Sequence, residues 1–281
     1  MRLPVVAYFD TNIVRDLAEE RPPGAKDKAN KLKALVAQGK VVIAPSFEVL
    51  YELISAPDAC DTTHIENAQF YDVLVSWRHT LKPSNQMLKD DIFSCLHQGG
   101  PSTPFQGIDE NRSGFIQSIR AGQTVLLPKA WEKVVRRSQL QNKRFVGKVF
   151  NSFVNILAPK SKTDLRKHPN ETWRKWWSHG EMVEIIANSL AGDQHVKTRC
   201  SFLSLPSVRA GVGFILHMWY QQIVSGAQLK PTEHYDFRNA VLGGGVGNIV
   251  THDRKLRNAI NHIPNLNVKT WTLEQFIAEV K

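Results

Sequence analysis

Four short runs of apolar and β-forming residues, 5–9, 41–44, 247–250 and 267–270, border turn residues and read as buried strands. All four lie towards the two chain ends. Apolar residues recur at helical spacing over 27–38, 47–54, 63–80, 130–157, 172–190, 208–224 and 272–280, and a further helical pattern follows residue 10. Strands separated by helices predict an α/β fold with a central, mostly parallel sheet flanked by helices, because parallel neighbours need a crossover between them. From about residue 57 to 231 no strand is predicted. That stretch reads as a large helical insertion, broken by a loop at 99–107 and a turn near Pro159. The expected organisation is a core whose first half is 1–57 and second half 232–281, interrupted by 58–231.

Composition narrows the class. The 281 residues exceed the usual size of one domain, and 42% hydrophobic with 22% charged residues is ordinary for a globular chain, which excludes a disordered or collagen-like polymer. No stretch approaches the roughly 20 apolar residues that span a bilayer, so no membrane partner is expected. The apolar run 3–9 contains Pro4 and passes straight into Asp10 without a small-residue cleavage site, as a buried strand would and a signal peptide would not. The three cysteines, Cys60, Cys95 and Cys200, are odd in number and far apart. They argue against a disulfide framework or zinc ribbon and for a reducing cytoplasm.

Charge changes the picture further. The formal net charge is +10, and the window 129–175 alone holds 13 Lys and Arg against three acids, so the rest of the chain is neutral. Excess charge gathered in one segment is the footprint of a surface that meets a phosphate backbone. Its candidate contacts are Arg136, Arg137, Lys143, Arg144 and Lys148, together with Trp173, Arg174, Lys175 and Trp176, where indoles beside cations suit stacked bases and tracked phosphates. The same pattern also suits indoles buried beneath a solvated cationic helix face.

The acids have their own arrangement. Asp10 ends the first predicted strand and begins Asp10-Thr11-Asn12; Val250-Thr251-His252-Asp253 repeats the order of strand, acid and helix near the other end. In a parallel sheet the carboxyl ends of the strands form the ligand crevice, so both carboxylates are expected on one rim. Asp236 precedes Asp253 by 17 residues and is placed to reach that rim from the preceding helix. Glu48 and Glu52 are four residues apart on one face of the predicted helix 47–54, opposite Phe47, Val49, Leu50, Leu53 and Ile54. That face meets either water or a polar cleft, and periodicity leaves the choice open.

The series Tyr8-Phe9-Asp10-Thr11-Asn12, Ser46 with Glu52-Leu53, Asp236, and Ile249-Val250-Thr251-His252-Asp253 resembles the PIN domain of metal-dependent nucleases. The resemblance covers residues 1–57 and 232–281 and implies a PIN-like core. It also implies an acidic site of Asp10, Glu52, Asp236 and Asp253, supported by Thr11, Asn12 and Thr251, with Glu48 competing with Glu52. Such a site holds Mg²⁺ or Mn²⁺, which take oxygen ligands, activate water and neutralise developing charge. The implied activity is an endoribonuclease of toxin or defence type, with RNA preferred to DNA by the habits of the family. A neutralising protein partner and a homo-oligomer are both compatible with it. Two alternatives stand beside it: a catalytically inactive nucleic-acid or partner-binding module on the same fold, and a structure-specific DNA nuclease.

Other patterns carry less. Gly243-Gly244-Gly245-Val246-Gly247 lacks a following Lys-Ser or Lys-Thr and precedes a strand, so it is read as a helix stop and turn, not a phosphate loop. Arg174 with His179 and Arg257 with His262 both fit the Arg-x4-His spacing of metal-independent HEPN ribonucleases, and the duplication shows how readily that spacing arises by chance. Asp193 and His195 are read as loop residues.

Overall fold

The computed structural model describes residues 3–54, 63–123, 204–225 and 233–280. The basic window and all its candidate contacts therefore lie outside the described residues, as do the helices expected at 130–157 and 172–190. The chain begins with β1 (Val5–Phe9), α1 (Thr11–Ala18), α2 (Ala25–Ala37), β2 (Val41–Ile43), α3 (Phe47–Ile54) and α4 (Thr63–Leu74). Then come β3 (Thr80–Leu81), α5 (Ser84–Gln98), β4 (Phe105–Gln106) and α6 (Glu110–Arg120). The described elements end with α7 (Pro206–Ser225), α8 (Glu233–Val246), β5 (Asn248–Val250), α9 (Arg254–Asn261), β6 (Lys269–Trp271) and α10 (Leu273–Glu279).

The main sheet is parallel, in the order β2-β1-β5-β6. The chain leaves β1 towards β2 and later returns to the other side of β1 for β5, so the winding reverses between β1 and β5. Side chains alternate along β1. Phe9 meets Phe276 of α10 edge to face, with centroids 5.5 Å apart, while Tyr8 and Asp10 project to the opposite face, where α8 lies. Helices thus cover both faces, as the buried run Ala7-Tyr8-Phe9 requires.

One connected apolar core runs through the sheet and α1 to α10, including the described parts of 58–231: Tyr71 of α4, Met87 of α5, Ile116 of α6 and Phe214 of α7 are all buried in it. The stretch expected to lack strands contains a small antiparallel pair, β3 with β4, in the register Thr80 to Gln106 and Leu81 to Phe105. Thr80 was expected to end a helix, but α4 stops at Leu74 and the chain continues as a bridge from Val75 to Ile43 and then as β3.

The glycine run also departs from expectation. Gly243, Gly244 and Gly245 lie inside α8, which stops only at Gly247, whose φ of 87° a residue with a Cβ rarely adopts. A Cβ on Gly244 would lie 2.8 Å from the Pro206 carbonyl oxygen and 2.8 Å from the Ala210 Cβ, so the missing side chain lets α7 cross α8 closely. Cys95, buried on α5, is disulfide-bonded, whereas the odd number and wide spacing of the cysteines argued against a disulfide framework and for a reducing cytoplasm; the other two cysteines lie outside the described residues.

Candidate functional site

The reversal of winding places the carboxyl ends of β1 and β5 side by side, and open α/β sheets bind ligands at such a point. Two of the expected acids stand there. Asp10 leaves β1 with its amide still bonded to the Val250 carbonyl at 3.0 Å, and Asp253 follows β5 as the cap of α9, accepting from the Lys255 and Leu256 amides at 2.6 and 2.9 Å. Thr251 joins them: its hydroxyl donates to Asp10 Oδ2 at 2.7 Å and accepts from the Asp253 amide at 3.0 Å. The other oxygen of Asp10 accepts from Asn239 Nδ2 at 3.2 Å, and Asn239 Oδ1 accepts from the Tyr8 hydroxyl at 2.7 Å.

The two glutamates face polar groups of α1, α5 and α8, not open water. Thr11, in the first turn of α1, donates to Glu52 Oε2 at 2.6 Å. Between the glutamates lies Arg238 of α8, its side chain only 8% exposed. Its Nε and Nη2 lie 3.1 and 3.0 Å from Glu48 Oε2, and its Nη1 lies 3.4 Å from Glu52 Oε1. Glu48 Oε1 accepts from the Ser84 amide at 3.1 Å, which sets a negative charge at the N-terminus of α5, where the helix dipole favours it. Glu48 therefore ties α3, α5 and α8 together, while Glu52 is the glutamate turned towards Thr11 and Asp10. Asn12 follows Thr11 in α1, and its backbone amide eases the ionisation of Asp10. Asp236 is half-buried in the first turn of α8, three residues before Asn239 and so on a neighbouring arc of that helix.

Electrostatics record the crowding. Burial raises the Asp10 pKa, the Thr251 hydroxyl and the Thr11 and Asn12 amides oppose that, and the Asp253 charge adds to it. Glu52 is pushed up to about 7, chiefly by burial and also by Asp10 and Glu48, against the opposing pull of Arg238 and Thr11. The Tyr8 hydroxyl is driven well above its ordinary range by burial and by the fields of Glu52, Asp10 and Glu48, so it stays a proton donor. Arg238 is held more firmly protonated than usual; burial works against its charge, and Glu48 with Glu52 outweighs it.

No family model, curated protein or solved structure matches the chain. The site must be read from its own chemistry.

Tyr8, Arg238 and Asn239 belong to the site but were not among the candidate site residues read from the sequence. Their signal was slight: Tyr8 shares a strand face with Asp10, and Arg238-Asn239 follow Asp236 directly. The HEPN spacing on α9 gains nothing, since Arg257 donates to the Thr251 carbonyl and the His262 ring lies 2.6 Å from the Asn258 carbonyl, so each meets backbone.

Among the described residues no group of three or more His, Cys, Asp or Glu is spaced to hold a metal ion. In donor chemistry the acids offer carboxylate oxygens, the kind of ligand a hard divalent ion takes.

Proposed function

We propose that the chain is a metal-dependent nuclease of PIN type that hydrolyses RNA phosphodiester bonds. The observation that carries this reading is the pair of strand-end carboxylates, Asp10 and Asp253, linked through Thr251 at the point where the winding of the sheet reverses. Asp10, Glu52, Asp236 and Asp253 would hold Mg²⁺ or Mn²⁺, which supplies a nucleophilic water at neutral pH and offsets charge on the phosphoryl oxygens.

The chain's own side chains have separable tasks. Thr251 and Asn239 fix both oxygens of Asp10, and Thr11 fixes one of Glu52, so the carboxylates are oriented before any ligand arrives. Tyr8, through Asn239, buttresses the same arrangement. Arg238 reduces the repulsion that four acids would otherwise exert on each other and on a polyanion. The segment 129–175, with its excess of ten positive charges, supplies the attraction for the nucleic-acid backbone that the acidic crevice lacks.

A second reading has one observation in its favour. Because Arg238 already engages Glu48 and Glu52, the same residues also suit an inactive module that binds nucleic acid or a partner. Incubation with RNA and with structured DNA, each with Mn²⁺ and with EDTA, separates the readings. Cleavage of RNA with Mn²⁺ that EDTA abolishes is the expected result. Binding without cleavage favours the inactive module, cleavage of DNA alone reassigns the substrate, and cleavage in EDTA overturns the metal-dependent reading.

A further inference from the structure

We propose, resting on the nuclease reading above for the identity of the strand, that the polar face of α9 is a phosphate track, along which Arg254 and Lys255 carry the backbone of an RNA strand away from the crevice on the Asp253 side. The sequence sets the charge. Residues 254–273 hold Arg254, Lys255, Arg257 and Lys269 and not one acid. Cations elsewhere on the surface face acids of their own, as Arg21 does Glu19, Lys82 does Asp90 and Arg120 does Asp72. Beside α9 the neighbouring acid in the chain, Asp253, is turned onto the Lys255 and Leu256 amides as the cap of the helix.

The fold fixes that charge beside the crevice. α9 buries Leu256, Ala259 and Ile260 and leaves Arg254 and Asn258, one turn apart, exposed. Its start is held in place: Arg257 donates to the Thr251 carbonyl at 2.7 Å, the Asp253 amide to the Thr251 hydroxyl at 3.0 Å, and the His252 ring lies 2.9 Å from Asp16 of α1. Beyond its far end Arg209 of α7 donates to the Pro264 carbonyl at 2.6 Å and adds another cation to the same wall. Burial pushes the His217 imidazole of α7 down to about 4, and the charges of His262 and Lys255 act in the same direction. Distance decides what these cations can do. The eight residues of α9 span about 12 Å and the screening length at physiological salt is ~8 to 10 Å, so the cations of its first turn act on a phosphate beside Asp253 within one screening length. A polyanion repelled by the acids of the crevice thus meets attraction at its edge. RNA is the partner favoured over an acidic protein segment because the track begins at the crevice that a phosphodiester must enter.

The test is a salt titration. The full-length chain, kept in EDTA so that RNA is bound without being cut, is mixed with a fluorescein-labelled single-stranded RNA, and anisotropy is read from low to high KCl. Each phosphate contact contributes about 0.7 to the slope of log affinity against log salt on a single strand, so Arg254→Ala with Lys255→Ala should lower the slope by about 1.4 and weaken binding roughly tenfold. With Mn²⁺ the same variant should raise KM and leave kcat near the native value. The swap Arg254→Lys with Lys255→Arg should bind as the native chain does, and Lys26→Ala with Lys31→Ala, an equal loss of charge on α2, should leave the slope nearly unchanged. Because Arg254 is exposed, Arg254→Ala alone, with half the change in slope, keeps the test open if the pair misfolds. An unchanged slope in the α9 variants of a chain that binds and cuts RNA, or the same loss from the α2 pair, overturns the track and leaves the nuclease reading standing. Polyglutamate binding that depends on Arg254 and Lys255 as strongly as RNA binding does would make the face a site for acidic protein and overturn the track too. The expected loss of slope in a chain that never cuts RNA keeps the track and rejects the nuclease reading, and a native chain that neither binds nor cuts RNA overturns both.

Discussion

Asp10 and Asp91 are both buried aspartates, 3% and 4% exposed, yet their surroundings have little in common. Asp91 of α5 is a single carboxylate in a cage of neutral donors: the Ser102 amide and hydroxyl reach one oxygen at 2.9 and 2.8 Å, and the Ser207 hydroxyl reaches the other. Those bonds fasten α7 and the loop before β4 to α5, and the demands of folding explain them fully. Asp10 is also hydrogen-bonded at both oxygens, but Asp253 raises its pKa and it raises that of Glu52 in turn. Folding gains nothing from crowding like charges at a crevice. Such crowding is what a site built to receive positive charge requires.

The sharpest way to break this contrast is to remove charge from the crowded region. Asp10→Asn and Asp253→Asn should reduce RNA cleavage to the level seen with EDTA while leaving RNA binding in place, measured by gel-based cleavage and fluorescence anisotropy on the same preparations. Turnover that survives in both variants would reject the site. Next in size is Arg238→Met, which strands Glu48 and Glu52 without their cation and should destabilise the fold by about 3 to 5 kcal/mol. Urea unfolding in EDTA measures this, and a loss below about 1 kcal/mol would mean that the guanidinium is not holding the glutamates together.

How far these regions were legible from sequence follows the same division between local and distant causes. The strand 5–9 was legible because Val-Val-Ala-Tyr-Phe is an unbroken run of apolar and β-forming residues, of which Ala7, Tyr8 and Phe9 are buried, and Asp10 and Asp253 because strand, acid and helix follow each other within a few residues. The pair β3 and β4 was not, since two residues each carry no periodicity and their pairing is decided by a partner some 25 positions away. The glycine run misled for a related reason: its intrinsic preference is to end a helix, but contact with Pro206 and Ala210 rewards the absence of a side chain inside one. Arg238 could not be picked out among 36 Lys and Arg, because nothing local shows that a cation is buried.

Stability against pH sharpens the contrast at intermediate size. Glu52 titrates at about 7 in the folded chain against 4.5 ordinarily, so between those values the folded state keeps a proton that the unfolded state has released. Stability in EDTA should therefore fall as pH rises from about 4.5 to 7 and level off above, by an amount on the order of 3 kcal/mol from this group. Glu52→Gln should flatten that part of the curve. An unchanged slope in the variant would place the titration elsewhere.

The smallest effect is the most discriminating, because it applies the same substitution to both regions. In Asp91→Asn the retained oxygen still accepts from Ser102, and the new amide can donate to Ser207, whose hydroxyl rotates to accept. The loss is then the difference between charged and neutral hydrogen bonds, about 1 kcal/mol, partly offset because a charge need no longer be buried. Asp10→Asn, by contrast, relieves repulsion with Asp253 and Glu52, and its stability in EDTA should be unchanged or higher at pH 7. Cleavage should persist in Asp91→Asn and vanish in Asp10→Asn. If instead both variants lost the same stability and kept the same activity, the two aspartates would be serving the same structural purpose, and the crowding at the sheet's reversal point would have no functional meaning.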